Sequence, residues 1–113
     1  MLSLEIVNAP TADEDTVVFL GTSFNQRTGE LVGARGHRAT VYGIRNRKLL
    51  YLFLTNPGRM FSEEELLHFL HGKQFLGETE MIKTYMSQIR SKLRVVTNAL
   101  DIENTRRVGY RLN

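Results

Sequence analysis

The chain has 113 residues, 42% hydrophobic and 24% charged, the size and balance of one folded domain rather than of a disordered segment. Cysteine is absent, which excludes disulfide frameworks, thiolate metal sites and thiol nucleophiles. No apolar run approaches the roughly 20 residues that span a bilayer, and Met1–Asn8 lacks the basic start and long apolar stretch of an export signal. A soluble, cytoplasmic chain with no membrane partner is expected. Net charge is only +3, but it is unevenly spread. Residues 1–80 carry eight Lys/Arg against ten Asp/Glu, whereas residues 81–113 carry seven against two. Positive charge gathered in one third of a domain suits a polyanion-binding surface, although it also suits an ordinary solubilising face.

In chain order, residues 1–15 read as a leader or linker, with Leu2, Leu4 and Ile6 alternating before a turn-like, acidic stretch. A single domain over residues 16–113 follows. Val17-Val18-Phe19-Leu20 is β-branched and aromatic up to Gly21, and Phe24 begins a second short segment. Arg27-Thr28-Gly29-Glu30 offers a turn before Leu31-Val32, and Gly33-Ala34-Arg35-Gly36 a further break before Ala39-Thr40-Val41-Tyr42. Four short strands at this spacing predict a small antiparallel sheet.

After Gly43 the period changes. Leu49, Leu50, Phe53 and Leu54 fall at helical spacing from about Asn46 to Thr55, and Asn56-Pro57-Gly58 stops that helix. Met60-Phe61 is a brief extended link. Ser62-Glu63-Glu64-Glu65 is a capping box that opens a second helix ending at Gly72. A loop, Lys73–Glu78, carries an apolar pair, Phe75 and Leu76. The third helix spans about Thr79–Val96. At 100° per residue, Met86, Ile89, Leu93 and Val96 lie within roughly 40° of Ile82 and form its buried stripe. The opposite face carries Glu80, Lys83, Thr84, Ser87, Gln88, Ser91 and Arg94. The tail, Ile102–Thr105 and Val108–Leu112, reads as a hairpin tipped by Arg106 and Arg107.

These elements and words resemble one family, the OmpR/PhoB-type winged helix-turn-helix of bacterial response regulators and of ToxR- and CadC-like activators. The resemblance rests on Leu49-Leu50, on the run from Asn56-Pro57-Gly58-Arg59 through Glu65-Leu66-Leu67, on Gly72, on Ile89-Arg90-Ser91-Lys92-Leu93, and on Thr105–Leu112. It covers about Val17–Asn113. It implies an α+β fold: an N-terminal four-stranded antiparallel sheet, three helices and a C-terminal β-hairpin wing. It also implies double-stranded DNA as partner, with helix 79–96 in the major groove and wing 104–110 on the minor groove. Dimeric or tandem use on repeated half-sites follows by the same analogy.

A helix fits the major groove, so outward side chains can meet base edges. Lys83, Thr84, Ser87, Gln88, Ser91 and Arg94 are the candidates on the wheel. Gln88 stands out, because an amide can donate to and accept from adenine together. The resemblance adds Tyr85 and Arg90 beside the stripe, Arg106 as the wing arginine, and the Lys73–Thr79 loop, with Lys73, Phe75 and Leu76, as a surface for RNA polymerase. The equal alternative for Phe75 and Leu76 is that they tuck under the third helix as core.

The chain departs from the pattern at informative places. Glu80, Ser87 and Gln88 stand where many members place arginine, Arg107 replaces the usual wing glycine, Arg47 replaces a core aromatic, and His71 a common tryptophan. Base reading weaker or more A·T-directed, with more affinity from backbone charge, is expected. The 113 residues hold no receiver domain, so either an excised effector domain or a stand-alone regulator, of bacterial or phage origin, is expected.

Other chemistries find little support. His68 and His71 are spaced i, i+3, with Glu64 one turn earlier, but no third strong ligand is near in sequence, so no metal or other cofactor is expected. Glu63–Glu65 favours the helix dipole rather than forming a paired-carboxylate site. No catalytic triad, P-loop or dinucleotide fingerprint occurs, and no enzymatic activity is expected. The competing reading is a winged helix that binds RNA polymerase or another regulator with little affinity for DNA. Its support is the arginine-poor outward face and the acidic Glu78 and Glu80.

Overall fold

In a computed structural model, residues 14–72 and 80–113 are described. Among them, four short strands come first: β1 (Thr16–Phe19), β2 (Thr22–Asn25), β3 (Glu30–Val32) and β4 (Arg38–Thr40). They form one antiparallel sheet in the order β1-β2-β3-β4. Three helices follow, α1 (Ile44–Thr55), α2 (Glu63–His71) and α3 (Glu80–Val96), and then a hairpin of β5 (Ile102–Thr105) and β6 (Gly109–Leu112). This is the expected α+β winged helix-turn-helix.

The differences from expectation sit at element ends. Leu20 is not strand but turn: with Phe19 paired to Thr22, Leu20 (φ 49°) and Gly21 (φ 78°) form a two-residue connection. Such a connection needs the left-handed region at both residues to match the twist of the strands. β2 accordingly starts at Thr22, two residues before Phe24. β4 is Arg38–Thr40, shifted from Ala39–Tyr42. α1 starts at Ile44, two residues before Asn46, since Ile44 and Arg45 are exposed and the first turn shows no apolar period. α3 is described from Glu80, and Thr79 lies outside the described residues.

α1 is the hub. Its Leu49, Leu50, Phe53 and Leu54 are all buried, and they meet the sheet, α2, α3 and β6 in one core. Arg47 does not join that core in place of an aromatic. Its Nε donates to the Val41 carbonyl at 2.8 Å and its Nη1 to the Arg27 carbonyl at 3.0 Å, pinning the β2–β3 turn and the end of β4 to the helix. α2 starts with both halves of the capping box, Glu65 N donating to Ser62 Oγ at 3.0 Å and Ser62 N to Glu65 Oε1 at 2.9 Å. His68 is exposed and His71 half-buried.

The Met60–Phe61 link is a docking strand for the hairpin. Phe61 and Tyr110 exchange backbone hydrogen bonds, both at 2.8 Å, and Gly58 N donates to the Leu112 carbonyl at 3.0 Å. Phe61 also meets Phe53 edge-on, ring centres 5.5 Å apart, while the Arg59 guanidinium lies 4.5 Å over its ring. Gly109 permits this approach, because a Cβ there would stand 2.0 Å from the Phe61 carbonyl oxygen, and its φ is 150°. Gly109→Ala is therefore expected to cost on the order of 3 kcal/mol by overpacking and strain, read as a lower urea midpoint.

Candidate nucleic-acid interface

Five α3 side chains face the core: Ile82, Met86, Ile89, Leu93 and Val96, none more than 3% exposed. That stripe determines what remains outside. Thr84, Ser87, Gln88 and Ser91 are exposed on the far side, with Lys83 and Arg94 exposed beside them. Tyr85 and Arg90 are half-buried at the two margins of the stripe. Apart from the exposed Val95, the outward face is thus uncharged and polar, with charge along its edges.

The margin toward the hairpin carries Lys83, Arg90 and Arg94. Lys83 shares an open cleft of about 460 Å³ with Asn104, Arg106 and Arg107 of the hairpin and with Glu63 and Glu64 of α2. Both hairpin arginines are exposed. Arg107 holds φ 67° in the three-residue turn between Thr105 and Gly109, the left-handed conformation that a glycine adopts without strain. Arg94 is already engaged: its Nη2 lies 3.2 Å from Asp101 Oδ2, an exposed ion pair of small energetic weight.

Deeper at this margin, the Tyr110 hydroxyl donates to Glu63 Oε2 at 3.3 Å, joining β6 to the first turn of α2. Burial raises the Tyr110 pKa above its ordinary value, the Glu63 carboxylate raises it further by repulsion and by accepting the phenolic proton, and the Arg90 charge offsets part of the rise.

The margin toward α1 holds groups that sequence reasoning passed over. Asn46 Nδ2 donates to Gln88 Oε1 at 2.7 Å and to the Tyr42 carbonyl at 3.2 Å. Arg45 Nη1 lies 3.4 Å from the Tyr85 hydroxyl, and Lys92 Nζ sits 5.2 Å from the centre of the exposed Tyr42 ring. On the wheel, Lys92 falls about 20° from Tyr85, so its placement was readable from the spacing. The Asn46–Gln88 contact, 42 residues apart in sequence, had no local signal.

Lys73, Phe75 and Leu76 lie outside the described residues. Among the described residues there is no group of three His, Asp or Glu side chains able to hold a metal ion, and no helix long and apolar enough to cross a membrane.

A helix with one buried stripe and one exposed polar face, flanked by a hairpin bearing two arginines, defines a winged helix-turn-helix domain. Residues 39–112 match the family described as "Transcriptional regulatory protein, C terminal". The chain belongs to that family, of OmpR/PhoB type. It is 26% identical to the phosphate regulon transcriptional regulatory protein PhoB of Shigella flexneri over 105 residues, 93% of this chain and 45% of that protein. It is 32% identical to the transcriptional regulatory protein VxrB of Vibrio cholerae over 100 residues, 88% of this chain and 38% of that protein. The chain thus spans less than half the length of these relatives. Among solved structures, the DNA-binding domain of E. coli CadC superposes with a TM-score of 0.71 at 19% identity, covering 90% of this chain and 94% of that one.

Two expectations follow from this geometry. Arg107→Gly should raise stability by about 0.5–1 kcal/mol, since relief of left-handed strain exceeds the entropy that glycine adds to the unfolded chain; a denaturant midpoint at or below wild type would contradict it. Because the folded-state pKa of Tyr110 is raised, its contribution is intact at neutral pH and lost as pH climbs above the ordinary value of about 10. A Tyr110→Phe variant should therefore show a shallower loss of thermal stability than wild type as pH rises above about 10.

Proposed function

We propose that this domain binds double-stranded DNA and regulates transcription, with α3 in the major groove and the β5–β6 wing on the adjacent minor groove. The observation that supports it most is the shared cleft: Lys83 of α3 and Arg106 and Arg107 of the wing line one opening beside the uncharged outward face of the helix. A helix enters the major groove on such a face, while flanking cations neutralise phosphates on either side. A relative of the same fold, the RstA DNA-binding domain of Klebsiella pneumoniae, was solved in complex with the RstA box, with a TM-score of 0.66 and 18% identity, covering 87% of this chain and 96% of that one.

The roles divide by position. Thr84, Ser87, Gln88 and Ser91 read base edges. Lys83, Tyr85, Arg90 and Arg94 hold the backbone beside the helix, and Arg106 and Arg107 hold it beside the wing. Use in pairs on tandem half-sites belongs to the same reading, as does a polymerase contact through the segment between α2 and α3. The competing reading, a protein-interaction module, draws on Val95, 56% exposed on the outward side of α3, and on Glu63 and Glu64 in the cleft.

A mobility shift on random duplex at two salt concentrations separates the two. Neutralising about four to six phosphates gives a log–log slope on the order of −4 to −5, and Arg106→Ala should make it shallower by about 0.9 while weakening all sequences alike. Absence of any complex at low salt would reject DNA binding in favour of the protein partner.

A further inference from the structure

We infer that Asn46, on α1, is a positioning residue for base recognition: it holds the Gln88 amide with its oxygen turned toward α1 and its NH2 toward the groove. The pair then favours acceptors with no donor beside them, guanine O6 and N7 or thymine O4, over adenine, whose N7 stands beside the N6 amino donor, and disfavours cytosine, whose major-groove edge is a donor. The inference deepens the DNA-binding reading and rests on it.

One chain of hydrogen bonds joins the two amides, and its polarity is set at its far end. The Tyr42 carbonyl is a backbone acceptor and has no proton to give. Asn46 approaches it at 3.2 Å and must present its NH2 there, because its own carbonyl would meet another carbonyl. The same Nδ2 lies 2.7 Å from the Gln88 side chain, so Gln88 in turn must present its oxygen. Both amide orientations follow from that single carbonyl, which removes the usual two-fold ambiguity of such groups. Asn46 is itself half-buried in α1, with Gln88 exposed beyond it.

A glutamine with no neighbour offers donor and acceptor together, which suits adenine N6 and N7. Here one lone pair of the oxygen accepts from Asn46 and the atom is turned toward α1, so the two N–H groups of Nε2 are what face a ligand. Gln88 then reads chiefly as a donor, and A·T selection by a bidentate amide is not what this arrangement prepares. Specificity at this position depends on a residue of a different helix that need not touch DNA.

The test is selection of binding sites from a randomised duplex pool with wild type, Asn46→Ala and Gln88→Glu, each first checked for its melting temperature. Wild type should show one position where guanine or thymine is preferred over cytosine about five-fold, the weight of one hydrogen bond. Asn46→Ala should reduce that preference below two-fold, leaving the other positions and the affinity for random duplex within about two-fold of wild type. Gln88→Glu retains the acceptor for Asn46 but offers only acceptors to the groove. It should reverse the preference toward cytosine, and it tests the inference even where Asn46→Ala is too unstable to assay. An adenine preference in wild type, or a preference in Asn46→Ala equal to that of wild type, overturns the positioning role while leaving DNA binding in place. Failure of wild type to retain any duplex removes both.

Discussion

The arrangement depends on the single apolar stripe of α3. Ile82, Met86, Ile89, Leu93 and Val96 are nearly or wholly removed from water, and at about 25 cal/mol per Å² their burial is the term that locks the rotation of the helix about its axis. A rotation of one residue, about 100°, would bring Lys83, Arg90 and Arg94 into the core, where unpaired charge is far too costly. The outward polar face is therefore not an independent feature. Once the stripe is buried, Thr84, Ser87 and Ser91 have nowhere else to point.

The second constraint concerns the distance between helix and wing. A free two-stranded hairpin is marginal in water, and β5–β6 is not left free. The backbone exchange between Phe61 and Tyr110 makes the α1–α2 link a third strand at its base, and the Tyr110 hydroxyl ties the same residue to the first turn of α2. β6 is thus tied to the start of α2 on the side where Lys83, Glu63 and Arg106 share a cleft. Ile102, Tyr110 and Leu112, all buried, join the hairpin to the main core.

What could be read in the sequence was what local chemistry dictates. The capping box at Ser62, the stop at Asn56-Pro57-Gly58 and the stripe of α3 are contained within one or two turns of chain, and all three are found where the residues place them. The misplaced ends have a common cause: Leu20 has strand propensity, but the two-residue connection to Thr22 forces it to a positive φ. Tertiary pairing overrode local preference there. Arg47 is the same lesson in side-chain form. It is a charged residue at an expected core position, yet its guanidinium binds two backbone carbonyls 6 and 20 residues away. Sequence spacing identified which side chains of α3 face outward, but it could not show that Gln88 and Tyr85 each meet a residue of α1.

Charge shows why the uneven distribution along the chain matters less than where its neutralisation falls. The two acids of the last third are each paired to a cation of that third, Asp101 to Arg94 at 3.2 Å and Glu103 to Arg111 at 2.6 Å. Both pairs lie away from the wing tip, between the last turn of α3 and the residue before β5, and between β5 and β6. The other cations of this region are Lys83, Arg90, Lys92, Arg106 and Arg107. Those five ring the uncharged face of α3 on the α1 margin, the wing margin and the wing tip, rather than lying on the face itself. In the proposed DNA complex, a surface built this way would separate two tasks that an arginine-rich helix would combine: backbone attraction from the rim, and discrimination from short polar groups at the centre. In such a division the centre contributes little energy of its own, so its selectivity depends on how firmly its few hydrogen-bonding groups are oriented. The contact between α1 and Gln88 supplies that orientation at the one central residue long enough to need it.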